Sequence, residues 1–164
     1  MLRRLPLYLA IFLGFLVGAL YLTGLFLPVE HEASVHRVFR VAPERLWSVL
    51  TDYEQYPQWR PDVAEVASTP FGWTETDDYG DSTGYEIEEQ IEPHRFVVRI
   101  QNPGAYGGSW EYALEPEDGG TRLTIIERGE VFNPMLRVIS RFIIGHTATM
   151  QSMLDLLQKR LEEG

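Results

Sequence analysis

Residues 121–163 read TRLTIIERGEVFNPMLRVISRFIIGHTATMQSMLDLLQKRLEE, a strand-like stretch that runs straight into a helical one. In 121–131, Leu123, Ile125 and Glu127 fall on one side of an alternating, β-branched run, which predicts a strand. Asn133 is suited to cap a helix and Pro134 to occupy its first turn. Met135, Ile139, Phe142, His146, Thr149 or Met150, Met153, Leu157 and Leu161 then recur at spacings of three and four. This predicts one long helix reaching about Glu163, with an apolar stripe suited to lying across a sheet. Gly145 falls in its middle, where it weakens the helix relative to alanine by about 1 kcal/mol and marks a bend or a close contact.

Upstream, Asp118-Gly119-Gly120 is a hairpin signal, because tight hairpin turns need positive φ. Before it, strands are expected near 63–68, 72–76, 83–91, 95–101 and 109–115, with Pro93 separating the third from the fourth. Close spacing and tight turns predict an antiparallel meander. Earlier still, 35–41 alternates as a strand. Pro43 and Glu44 then open a helix whose apolar face is Leu46, Trp47, Val49 and Leu50. The segment 51–62, TDYEQYPQWRPD, carries Pro57 and Pro61 and is expected to be a short helical turn and a loop burying Tyr53, Tyr56 and Trp59.

The first 29 residues are of another kind. From Leu5 to Val29 no charged residue occurs. A bilayer-spanning helix needs about 20 apolar residues, and this run exceeds that. It is too long for the apolar region of a signal peptide, and Leu25-Phe26-Leu27-Pro28 offers no small-x-small cleavage site. The sequence therefore predicts an uncleaved single-pass anchor over 1–29 and one domain over 30–164. Arg3 and Arg4 precede the helix, and Glu30 and Glu32 follow it. The positive-inside rule puts the N-terminus in the cytoplasm and the domain in the periplasm or outside the cell. Gly14 and Gly18 form G-x-x-x-G, which permits a close approach of two such helices, and hence a dimer or protein partner.

Composition narrows the functions. The chain has 164 residues and a net charge of −10, and 45% of its residues are hydrophobic. It can bury a core. The acidic balance repels phosphate backbones, so nucleic acid is set aside as a partner. There are no cysteines, which excludes disulfides, thiolate metal sites and thiol nucleophiles. His31 and His36 superficially suggest H-E-x-x-H. The second histidine is one position late and the segment enters a strand, so no zinc site is read there. No cofactor is expected.

The order of strand, short helices, six antiparallel strands and long C-terminal helix resembles the helix-grip fold of the START-like superfamily. That group includes polyketide cyclases and dehydrases and lipid-transport domains. Three stretches carry the likeness: 41–59 (VAPERLW, LTDY, YPQW), 108–123 (GSWEY, LEP, GTRL), and 130–163 with Glu130-Val131, Asn133-Pro134 and the final helix. It covers 33–163. The resemblance implies an α+β domain whose six or seven strands wrap around the last helix and leave an apolar cavity between them.

Alternation then nominates residues facing that cavity: Tyr85 and Glu89 in 83–91, Phe96 in 95–101, Trp110 and Tyr112 in 109–115, and Glu127. Phe142, His146 and Met153 join them from the helix stripe. Glu89 and Glu127 are carboxylates on otherwise apolar faces. Each is either a polar contact or acid/base group, or a strand-end residue in solvent or paired with arginine, and a bulge would turn either one outward. His146 is either a satisfied core histidine or a ligand and proton-transfer group. The glycine-rich stretch 103–108 is either a lip over the cavity or an ordinary hairpin loop.

Three functions fit these residues. The first is a tethered binder of an apolar small molecule or lipid, with a membrane as its second partner. The second is an interaction module with a filled cavity. The third is a cyclase- or dehydratase-type enzyme using Glu89, Glu127 or His146 as acid and base, which requires at least two of them to converge.

Overall fold

The computed structural model describes residues 5–102 and 106–163. Its elements follow the chain as α1 (Leu5–Phe26), β1 (Glu30–Phe39), α2 (Pro43–Thr51), a 3₁₀ turn (Tyr53–Gln58), β2 (Glu65–Thr69), β3 (Gly72–Thr76), β4 (Ser82–Ile91), β5 (Arg95–Asn102), β6 (Tyr106–Glu117), β7 (Gly120–Val131), α3 (Pro134–Ile139), a π turn (Ser140–Ile144) and α4 (Ala148–Glu163). The strands form one seven-stranded antiparallel sheet in the order β1-β7-β6-β5-β4-β3-β2. Two strands run further than their sequences suggest. β1 starts at Glu30 because Glu30–Ser34 pair with Ile126–Glu130, and β6 starts at Tyr106.

One face of the sheet is apolar, and cross-strand rows define it. Phe96, Tyr112, Ile125 and Val35 form one row. α4 lies over it, burying Met150, Met153, Leu154 and Leu157, and α2 adds Leu46, Trp47 and Leu50 to the same core. Burying a side chain of that size contributes about 1.5–3 kcal/mol. Arg37 of β1 ties down α4 by donating to Asp155 at 2.7 Å.

The 51–62 segment is pinned by a buried ion pair. Arg60 donates to Glu75 at 2.8 Å, Trp73 Nε1 donates to the same oxygen at 3.0 Å, and the Arg60 guanidinium lies 4.9 Å from the centre of the Tyr56 ring. Tyr53, Trp73 and Tyr85 stack in parallel beside it.

The C-terminal helix is not continuous. Asn133 caps α3, accepting from Met135 and Leu136, but the chain widens into a π turn after Ile139 and breaks at Gly145. Gly145 has φ 81° and ψ 149°, a region essentially reserved for glycine. The apolar spacing carried through the break in sequence, but the backbone did not. The stripe therefore divides: Met153 and Leu157 enter the core, whereas Phe142 is 66% exposed.

α1 has 22 residues, or about 33 Å at 1.5 Å per residue. It is long and apolar enough to cross a membrane, and nearly all its side chains are exposed. Its C-terminal end alone packs on the domain, against α3. Gly24 sits against the Pro134 carbonyl, where any Cβ would collide. The Arg137 guanidinium donates to the carbonyls of Gly24, Leu27, Val131 and Phe132 at 2.8–3.2 Å. It thus fastens the end of α1 to the end of β7. Gly14 and Gly18 have open space around them. Arg3 and Arg4, which set the expected orientation, lie outside the described residues.

Candidate functional site

The last helix breaks at Gly145, and α4 buries Met150, Met153, Leu154 and Leu157 against the core. Beyond the Phe96–Tyr112–Ile125–Val35 row comes Ile87–Val98–Trp110–Glu127–Ala33, and then Tyr85–Ile100–Gly108–Gly129–His31. Ile87, Ile100 and Trp110 are only half-buried, with Ile87 and Trp110 packed against the edge of the core, so this part of the face is apolar and less covered than the row under α4. By strand register this less covered part lies toward Glu30, Val131, Tyr106 and Asn102, the end of the sheet that adjoins α1.

A polar group closes one side of it. Nε2 of His31 stands 3.3 Å from Oε1 of Glu127, and the His31 ring stacks on His146 with centroids 3.9 Å apart. Trp110 lies directly opposite Glu127 on the next strand. Gly129 makes this possible, since a Cβ there would strike the His31 ring. His146 reaches the group from the segment after Gly145, so the break in the helix also positions it. Arg141 and Arg137 lie alongside, in a depression of about 260 Å³ that His31, His146 and Leu27–Glu32 also line.

Burial sets the protonation. It pushes Glu127 above the usual carboxylate range, an effect that His146 and Trp110 only partly offset. Burial also pushes His31 below its ordinary value. His146 is lowered by burial, then by the neighbouring His31 and Arg141. Near neutral pH the histidines are therefore uncharged, and their contact with Glu127 is a polar one and not a salt bridge between full charges. A carboxyl group that holds its proton unusually well, beside two neutral imidazoles, can donate to or accept from a ligand hydroxyl, carbonyl or carboxyl.

The other nominated residues sort by position. Phe96, Tyr112 and Met153 are buried in the α4-covered core, where they occupy space and do not line the less covered part. Tyr85 stacks on Trp73, and burial pushes its hydroxyl up. Glu89 does not face the cavity. The register shifts between Ile87 and Glu89, so Glu88 is the extra residue and Glu89 turns to the outer face, 2.9 Å from Arg95. Phe142 does not line the cavity either, because the π turn carries it to the surface. Of the expected glycine-rich lip, 103–105 lie outside the described residues, and Tyr106–Gly108 belong to β6.

Sequence reasoning missed His31. The signal was present: His31, Ala33, Val35, Arg37 and Phe39 alternate without interruption, and starting the strand at Val35 cut the pattern short. His36 lies on the opposite, outward face.

A family model described as "Polyketide cyclase / dehydrase and lipid transport" matches residues 30–162. Among solved structures, a START superfamily protein from Mycobacterium smegmatis is 19% identical with a TM-score of 0.63, over 81% of this chain and 98% of that one. Norcoclaurine synthase from Thalictrum flavum is 11% identical with a TM-score of 0.64, over 83% of this chain and 88% of that one. The di-domain ARO/CYC StfQ of the steffimycin biosynthetic pathway is 14% identical with a TM-score of 0.64, over 82% of this chain and 52% of that one. At these identities the structural likeness speaks to fold alone. No curated protein matches the chain by sequence.

Proposed function

The chain belongs to the polyketide cyclase/dehydrase and lipid transport family, and from that premise we propose that it is a membrane-tethered binder of an apolar small molecule or lipid. The ligand's apolar body lies on Ile87, Ile100 and Trp110, and its polar end meets Glu127, His31 and His146. The observation that carries this reading is the less covered part of the sheet. A largely apolar site with a few converging polar groups is what small-molecule sites look like, and here Ile87, Ile100 and Trp110 lie beside the cluster of Glu127, His31 and His146. α1 anchors the domain where such ligands partition. Arg3 and Arg4 before it and Glu30 and Glu32 after it favour a domain on the non-cytoplasmic side.

Trp110 provides the test. Trp47 and Trp73 are buried, and Trp59 lines a separate depression with Lys159 and Arg160, so a ligand in the groove reaches Trp110 first. A brominated fatty acid added to the full-length protein in nanodiscs is expected to quench a saturable fraction of the emission, and Trp110→Phe to remove that fraction. Quenching that never saturates, or that Trp110→Phe leaves unchanged, counts against the reading.

A second reading, an enzyme of the cyclase or dehydratase type, is favoured by one observation. Glu127, His31 and His146 converge on one spot with their proton affinities shifted in opposite senses, the pattern that separates an acid from a base. Glu127 and His146 would carry that chemistry together with His31, and Glu89 would take no part.

A further inference from the structure

The π turn carries two large apolar side chains that the domain does not use. Phe142 is 66% exposed and Ile143 is 75% exposed, and Phe132, just past the end of β7, is 45% exposed. All three adjoin the segment that packs on α1. α3 precedes the π turn directly and lies against α1, and Arg137 of α3 holds the carbonyls of both Gly24 and Leu27. Arg141 and His146, on either side of the exposed pair, share one depression with Leu27, Pro28 and Val29. The turn is thus fixed at the level where α1 leaves its apolar run.

A bilayer around α1 has a hydrocarbon core of about 30 Å and headgroup layers that add roughly 5–8 Å on each side. Residues held beside Leu27 stand within that layer. Charge does not drive such a contact, because Glu30, Glu32 and Glu130 are close by and only Arg141 offsets them on the turn. Apolar insertion does, and exposed aromatic and aliphatic side chains next to a spanning helix suit the boundary between acyl chains and headgroups.

We propose that the π turn Ser140–Ile144 is a second membrane contact, in which Phe142 and Ile143 enter the bilayer boundary beside α1. This rests on reading α1 as a membrane anchor. It turns the less covered part of the sheet toward the lipid surface. An apolar ligand then passes between bilayer and groove past the π turn, without crossing bulk water. The break at Gly145 acquires a purpose: it uncovers the groove and delivers the two side chains to the membrane at once.

The chain has no cysteine, so single cysteines can report depth one position at a time. Full-length Phe142→Cys and Ile143→Cys, carrying an environment-sensitive fluorophore, are reconstituted into phosphatidylcholine nanodiscs containing lipids with doxyl quenchers at both shallow and deep acyl-chain positions. Leu16→Cys, in the middle of α1, reports the anchor, and Asp118→Cys, in the β6–β7 hairpin at the far end of the sheet, reports water. The expected result is a blue shift and quenching at 142 and 143 that approach those of Leu16→Cys and are absent from Asp118→Cys. Unquenched labels at 142 and 143 with a quenched Leu16→Cys overturn the second contact and leave the anchor standing. An unquenched Leu16→Cys overturns both.

Discussion

Nε2 of His31 stands 3.3 Å from Oε1 of Glu127, and each residue comes from a strand whose other inward-facing positions are mostly apolar. Removed from water, both groups favour their neutral forms, and the pH dependence of the domain follows. The two lowered imidazoles bind fewer protons folded than unfolded. Their stabilising contribution is present above the unfolded value of 6.5 and is lost as pH falls through it toward the folded values. Glu127, raised by burial, acts in the opposite sense: its contribution is present at low pH and lost as pH rises through its folded value. Between about pH 7.5 and 5.5 the wild-type melting temperature should fall more than that of a His31→Gln/His146→Gln variant. Parallel curves would place the two rings in solvent.

Glu127→Gln removes a carboxylate that is costly to bury while keeping a polar group beside Trp110. At neutral pH the variant should be at least as stable as wild type, and should bind the brominated fatty acid more weakly. Thermal melts and the Trp110 quenching titration separate the two effects.

The site was half legible in the sequence. Alternation along β7 and the helical stripe nominated Glu127 and His146. It also nominated Glu89 and Phe142, which a bulge and a helix break turn away. A bulge adds one residue without changing composition, and a π turn keeps apolar residues in step while redirecting them. Neither is visible in periodicity. The fold was more legible, because several element ends carry local signals: Pro43, Asn133-Pro134 and Asp118-Gly119 sit at element ends in the structure as they do in the pattern.

Gly145→Ala tests the break itself. Placing a Cβ at φ 81°, ψ 149° should cost about 1–3 kcal/mol. Either the domain loses that stability in denaturant unfolding, or the segment rewinds toward a continuous helix and covers the groove, which would abolish Trp110 quenching.

Glu75→Ala should be the most damaging surface-remote change. It leaves Arg60 largely buried with only Asp62 as a partner and strips the acceptor from Trp73. Breaking a buried pair costs about 3–5 kcal/mol, and the remaining Asp62 contact puts the expected loss near the lower end. Urea unfolding measures it, and a loss under about 1 kcal/mol would show that the pair is not closed to water.

Arg137→Ala should free α1 from the domain without unfolding either. It forfeits hydrogen bonds to carbonyls at the end of α1 and the end of β7, each charge-assisted bond being worth about 1.5–3 kcal/mol. In nanodiscs, protease cleavage at 27–29 should speed up while the domain core stays protected.

The central claim is that the less covered part of the sheet holds an apolar ligand. Native mass spectrometry of the full-length protein, isolated from its host cells and paired with lipid extraction, tests it most directly. The account predicts a stoichiometric apolar molecule that is retained by Met153→Leu, in the covered core, and lost from Ile100→Trp, which fills the groove. A protein that is empty as isolated and stays empty when lipid and isoprenoid classes are added back, or a bound molecule that Ile100→Trp leaves in place, would contradict it.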